Sequence, residues 1–219
     1  MPQASVIQLF PISLYKGKIN IDDTSKNFVF NQPYERMPSG NGDFSKNHYL
    51  LDLPEMKSLK DEIMIHVENY VYRYLSVRDD IVRFYIQNSW AVKHHPGDWA
   101  QNHIHSNCFV SGVCYLKTQK NSGGISFTKP DGYTNLFHTS TRVPFFETSN
   151  HNCETWNEIP RDNDILLFPS HLMHHVNRND SNEDRFSLSF NLNIEGVLRS
   201  ATSDLDYLKL EEHKPNKEI

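Results

Sequence analysis

From Pro54 to about Val77 the apolar residues fall at Met56, Leu59, Ile63, Val67, Tyr70, Val71 and Tyr74. That spacing gathers them on one face of an α-helix, and Asp52 with Pro54 supplies a start. His66 lies beside this stripe, as a surface or boundary histidine does. Upstream, "SVIQLFPISLYKGKI" mixes apolar and β-prone residues and predicts an edge strand or two, confined to an edge by Pro11, which has no N–H for a ladder. "NQPYERMPSGNGDFSKN" reads as loop. From Asp80 onward the texture changes to short β-rich runs between turn residues: "IVRFYIQNSWAV", "HIHSNCFVSGVCYLKT", "GGISFTK", "VPFFETS", "CETWNEI", "DILLFPS" and "RFSLSFNLNI". Such runs predict a mainly β fold, an antiparallel sandwich or barrel, with the helix covering one sheet face. After Gly196 the charged "DYLKLEEHKPNKEI" predicts a short helix running into a frayed tail.

No repeat, low-complexity block or Pro/Gly/Ser-rich linker divides the chain, and 37% hydrophobic residues among 219 suffice for one core. The expectation is a single domain: edge strands and a supporting helix over 1–79, a β core over 80–196, and an extension over 197–219. The longest apolar runs are far shorter than the roughly 20 residues that cross a bilayer, and the start carries no basic region followed by an apolar stretch. This predicts a soluble, cytoplasmic protein without a membrane partner. Cys108, Cys114 and Cys153 are an odd number in a chain too large to need staples, so reduced thiols are expected. A formal charge of −5, with no Lys/Arg cluster among aromatics, argues against nucleic acid. A small molecule or a protein side chain remains as the substrate class.

What changes this picture is the 12 histidines, of which His94, His95, His103, His105, His171, His174 and His175 group in the middle and later parts of the chain. On a strand, His103 and His105 point the same way with Cα atoms about 6 to 7 Å apart, so their imidazoles can converge on one ion. Two exposed strand histidines are the plain alternative. In "DILLFPSHLMHHV" an apolar strand ends at Pro169 and three histidines follow. Two near ligands from one strand and a far one from another make a facial triad with open positions. His174 is the candidate, with His171 and His175 left as surface or supporting residues in a register that the sequence leaves open.

In "DRFSLSFNL", alternation puts Arg185, Ser187, Ser189 and Asn191 on one face and Phe186, Leu188, Phe190 and Leu192 on the other. An Arg aligned with a Ser two residues on suits a bound carboxylate. The alternative is an exposed polar face with Arg185 paired to Asp184 or Glu183.

Taken together, these segments resemble the Fe(II)/2-oxoglutarate oxygenases, in the branch described as "putative 2OG-Fe(II) oxygenases". The matching residues are Leu9 to Pro11, Asn102 to Leu116, Asp164 to His174 and Arg185 to Asn191. The resemblance implies a double-stranded β-helix (jelly-roll, cupin-like) core and a metal held by His103, His105 and His174. It also implies 2-oxoglutarate held at its distal carboxylate by Arg185 and Ser187, with Fe(II) and dioxygen as the other participants and hydroxylation as the usual outcome. Tyr115 is the further residue assigned to the co-substrate, and Trp90 is expected to line the same pocket.

Two departures stand out. His105 occupies the position where the superfamily has a carboxylate, which implies a three-histidine site unless Asp98 or another acid joins it and gives the metal one more positive charge. Asn163-Asp164 stands where Gly-Asp is usual, a small change because Asn tolerates left-handed backbone. The rival readings are a three-histidine zinc hydrolase or lyase and a cupin-like metal-binding domain without turnover. Substrate contacts are expected from loops, above all residues 129–152 and the region before the helix.

Overall fold

The computed structural model describes residues 5–37, 42–130, 144–199 and 207–211. Two antiparallel sheets face each other. The larger contains β1 (Tyr15–Lys18), β2 (Tyr34–Arg36), β3 (Asp43–Ser45), β4 (Val82–His94), β6 (Val110–Lys117), β9 (Asp164–Pro169), β11 (Arg185–Arg199) and β12 (Tyr207–Leu210), in the order β1-β9-β6-β11-β4-β3-β2 with β12 beside β11. The smaller contains β5 (Ala100–His103), β7 (Ile125–Thr128), β8 (Thr155–Glu158) and β10 (His174–Val176), in the order β5-β10-β7-β8. This is the antiparallel two-sheet arrangement that the short runs predicted, and the double-stranded β-helix that the resemblance implied.

The period-two pattern of β11 sets up both faces of the large sheet. Phe186, Leu188, Phe190 and Leu192 join Leu59, Ile63 and Val67 of helix α2 in one core, and α2 spans Lys57–Glu68 before a π-helical turn at Asn69–Tyr74. Each fully buried Leu, Ile or Val contributes roughly 1.5 to 3 kcal/mol, so the predicted stripe clamps the helix to the outer face. Helix α1 (Asp23–Phe30) was not foreseen. Asp22 caps it by accepting from the Ser25 N–H at 2.8 Å, but its short stripe fully buries only Ser25 and Val29, too little for a periodicity signal.

Other differences are local. Of the opening segment only Tyr15–Lys18 is a strand, on the sheet edge against β9, and Leu9, Phe10 and Pro11 lie exposed outside it. The stretch read as loop contains β2 and β3, which pair with each other and, through β3, with β4. No strand occupies residues 144–149, and residue 143 lies outside the described residues. In place of the expected C-terminal helix, Tyr207–Leu210 is a strand, because the backbone of β11 continues past Gly196 and offers an edge to pair with. The rest of the expected tail, from residue 212, lies outside the described residues.

Among the described residues no helix is long and apolar enough to cross a membrane. Cys108, Cys114 and Cys153 are all free thiols, as expected. Asn163 adopts the left-handed backbone foreseen for it, with φ of 64°.

Candidate metal centre

Between the sheets lies a cavity of about 450 Å³. Its large-sheet wall is a set of cross-strand neighbours: Arg185 opposite His94, Ser187 opposite Val92, Ser189 opposite Trp90, and on the other side Ser187 opposite Tyr115 and Ser189 opposite Val113. All of these line the cavity. The polar face of β11 is therefore turned inward.

The small sheet supplies the imidazoles. His103 ends β5 and stands directly opposite His174, the first residue of β10, a strand too short and too polar for its own hydrophobic pattern. His105 was expected on the same strand as His103. It lies just beyond the strand end instead, tied down by its backbone N–H to the Ser170 carbonyl at 3.0 Å. The rings nevertheless gather: centroids are 4.3 Å apart for His103 and His174, 5.2 Å for His105 and His174, and 5.3 Å for His103 and His105. One ring nitrogen from each lies within 4.8 Å of the others.

Hydrogen bonding fixes which nitrogen that is. Nδ1 of His103 donates to the Gln101 carbonyl at 2.8 Å, Nδ1 of His174 to the Leu172 carbonyl at 2.8 Å, and Nδ1 of His105 to Asn191 Oδ1 at 2.6 Å. Carbonyl oxygens only accept, so the protons sit on Nδ1 and the Nε2 lone pairs are left to converge. Ser111 and Ser170 complete a buried polar cluster behind His105. The donor set is three neutral imidazoles, which suits a divalent first-row metal.

Among the described residues no carboxylate joins this group. Asp98 is held away, taking two hydrogen bonds from Arg36 at 2.6 and 2.8 Å and one from the His95 backbone. His171 is exposed. Both ring nitrogens of His175 are bonded to Asn102 and Asn177. His66, half-buried, bonds Tyr15.

Arg185 is 2% exposed. It donates from Nη1 to the Ser122 carbonyl and from Nη2 to His94 Nδ1, both at 2.9 Å. The alternative ion pairs do not form: Asp184 goes to His95 and Lys93, and Glu183 to Lys117. Among the described residues this buried cation has no anionic partner. Burial depresses the pKa of Arg185 and raises that of Tyr115, and among the described residues that line the cavity there is no carboxylate. Trp90 lines the cavity at 5.7 Å from the His105 ring. Beyond the candidates lie Met37, Phe44, His48 and Asn88 on the same lining. Met37 and Phe44 come from the stretch read as loop, His48 follows directly after it, and Asn88 lies on β4, so pairing between distant segments brings them together. Of the expected substrate loop, residues 131–143 lie outside the described residues.

Burial also lowers the pKa of His94 and His174 to about 3, helped by Arg185 for the former and His103 for the latter. A histidine near 6.5 when unfolded and near 3 when folded takes up its proton only on unfolding, so stability falls as pH drops from 6.5 toward 3. For metal-free protein the expected slope is about 1.4 kcal/mol per pH unit for each such histidine. Urea midpoints between pH 7 and pH 4.5 measure it, and His94→Asn should flatten the curve.

Residues 88–191 match the family described as "Putative 2OG-Fe(II) oxygenase". In a separate comparison, 82 residues are 32% identical to the bifunctional acetylxylan esterase/xylanase XynS20E of Neocallimastix patriciarum, covering 37% of this chain but only 12% of that protein. Among solved structures, the non-heme alpha ketoglutarate dependent epimerase SnoN from nogalamycin biosynthesis is similar with a TM-score of 0.58 at 12% identity, over 94% of this chain and 91% of that one. HygX from Streptomyces hygroscopicus, solved with nickel, 2-oxoglutarate and hygromycin B, is similar with a TM-score of 0.56 at 12% identity, over 83% of each chain. At these identities the likeness is one of fold.

Proposed function

We propose, from the match of residues 88–191 to the family described as "Putative 2OG-Fe(II) oxygenase", that this chain is an Fe(II)- and 2-oxoglutarate-dependent oxygenase that hydroxylates a small molecule or a protein side chain. The observation that carries the reading is the pairing of three convergent neutral imidazoles with a buried, anion-free Arg185 in one cavity. A buried cation without a counter-ion costs several kcal/mol, and a bound carboxylate offsets that cost. The zinc hydrolase reading gives Arg185 and Ser187 nothing to do.

His103, His105 and His174 would hold the metal through Nε2. Arg185 and Ser187, with Tyr115 beside them, would take the distal carboxylate of 2-oxoglutarate. When bound, Fe(II) supplies the redox chemistry by which 2-oxoglutarate and dioxygen become succinate and carbon dioxide while the second oxygen atom enters a substrate C–H bond. The chain's own part is to hold three imidazoles with Nδ1 tied back and Nε2 turned inward, to present one cation to the diacid, and to wall the reacting groups with Trp90, Val113, Ile125 and Phe168. A cavity of about 450 Å³ lies within the roughly 300 to 1,000 Å³ range of ligand pockets. The structures of HygX with nickel and 2-oxoglutarate, similar in fold, support the assignment.

The test is anaerobic addition of Fe(II) and 2-oxoglutarate, followed by air. A metal-to-ligand charge-transfer band and then succinate are expected. Neither signal, together with tightly held zinc, would favour the hydrolase; metal binding with no turnover of any kind would favour a cupin-like binding domain. His105→Asp is expected to keep Fe(II) affinity within about tenfold of the parent, because the Ser111 hydroxyl, 2.9 Å from His105 Nδ1, can turn to donate to a carboxylate there. Competition with a chelator measures this, and complete loss of metal would mean that the third imidazole is obligatory.

A further inference from the structure

His94 and Arg185 face each other across the β4–β11 ladder, and each is 2% exposed. A guanidinium only donates, so the 2.9 Å contact makes His94 Nδ1 the acceptor and puts the ring proton on Nε2. With the Ser122 carbonyl on Nη1, the two terminal nitrogens of Arg185 are each fixed by a neutral acceptor. Among the described residues Arg185 Nε and His94 Nε2 have no acceptor at all. His94 borders the cavity together with Arg185, Ser187 and Tyr115.

The choice of partner matters chemically. An Asp or Glu opposite Arg185 would neutralise it and compete with an incoming anion. An aliphatic residue would leave the guanidinium free to turn. A neutral imidazole acceptor orients the cation and leaves its charge available.

Resting on the proposed function, we infer that His94 is the positioning residue for the co-substrate: it holds the Arg185 guanidinium in the plane that receives the distal carboxylate of a 2-oxo diacid. Its role is specific to that carboxylate. The hydrogen bond of its ring goes to Arg185, and the three imidazoles of the metal centre are held by other partners. Burial and the neighbouring Arg185 keep the ring neutral down to a pKa of about 3.

The test uses full-length protein loaded anaerobically with Fe(II) and titrated with 2-oxoglutarate or with pyruvate, a 2-oxo acid that lacks the distal carboxylate. His94→Asn places an amide oxygen near the position of Nδ1, whereas His94→Gln and His94→Leu remove that acceptor. His94→Gln and His94→Leu should weaken 2-oxoglutarate by about tenfold or more, the size of one lost charge-assisted bond. His94→Asn should stay within about threefold of the parent, well under one such bond. Iron content and pyruvate affinity should hold in all three. Equal behaviour of His94→Asn and His94→Gln, or a loss shared with pyruvate, would overturn the inference, and the Asn–Gln contrast decides even if the Leu variant does not fold. Arg185→Leu run alongside separates the two levels. If it leaves 2-oxoglutarate binding intact, the proposed function fails; if it weakens binding while His94→Gln does not, only the positioning role falls.

Discussion

His174→Ala is expected to strip the protein of its metal. The His174 ring is 3% exposed, its Nδ1 is committed to the Leu172 carbonyl, and its centroid is the nearest to His103 in the cluster. Alanine leaves two imidazoles and no carboxylate. Loss of a residue that merely supports a ligand costs about 10- to 100-fold in affinity, so loss of a ligand from a set with no spare donor should exceed about 100-fold. The β10 backbone remains paired to β5 and β7, so the fold should survive. Metal content after anaerobic loading and gel filtration reads the result. A second readout is thermal unfolding, where Fe(II) should raise the parent's midpoint but not the variant's. If His174→Ala retained iron, the register at "SHLMHH" would have been misread, although the exposure of His171 and the doubly bonded ring of His175 leave neither a lone pair aimed at the cluster.

The parts of this molecule that announced themselves in the sequence are those whose environment repeats along the chain. β11 alternates over its first eight residues because one face packs on α2 and the other lines the cavity. α2 shows its stripe because Leu59, Ile63 and Val67 all touch one sheet. His103, His105 and His174 could be proposed because two of them are near neighbours and the third follows an apolar strand. The features that stayed hidden are set by partners distant in the chain. β2 and β3 are too short to show a period and exist as strands because β4 offers an edge. β10 is a strand by virtue of lying between β5 and β7. The same holds for His94: nothing in "AVKHHPGDW" says which of two adjacent histidines turns inward, and only the β4–β11 register puts it opposite Arg185. His95, its neighbour, lies just past the end of β4 with its ring between Asp43 and Asp184. Burial alone would lower its pKa, but Asp43 and Asp184 outweigh that and raise it. Two adjacent imidazoles thus end with opposite charge preferences because one is buried beside Arg185 and the other, just past the end of β4, sits between two carboxylates.

Arg185→Leu is expected to raise the 2-oxoglutarate requirement while leaving the metal in place. Removing one partner of a buried, hydrogen-bonded charge pair costs about 2 to 4 kcal/mol, or roughly 30- to 1,000-fold in affinity. Leucine at this position removes a buried cation as well as a ligand contact, so the apo protein should lose little stability and could gain some. His94 Nδ1 and the Ser122 carbonyl lose a donor, which sets the opposing cost. The three imidazoles make no contact with the guanidinium, so iron content should match the parent. Titration by charge-transfer absorbance should show weaker 2-oxoglutarate binding, with pyruvate unaffected because it has no distal carboxylate to lose. Arg185→Lys should recover only part of the affinity: it restores the charge but not the two-pronged geometry or the bond to His94. An unaltered 2-oxoglutarate response in Arg185→Leu would leave a buried cation with no counter-ion and no ligand, and the oxygenase assignment would lose the observation on which it rests.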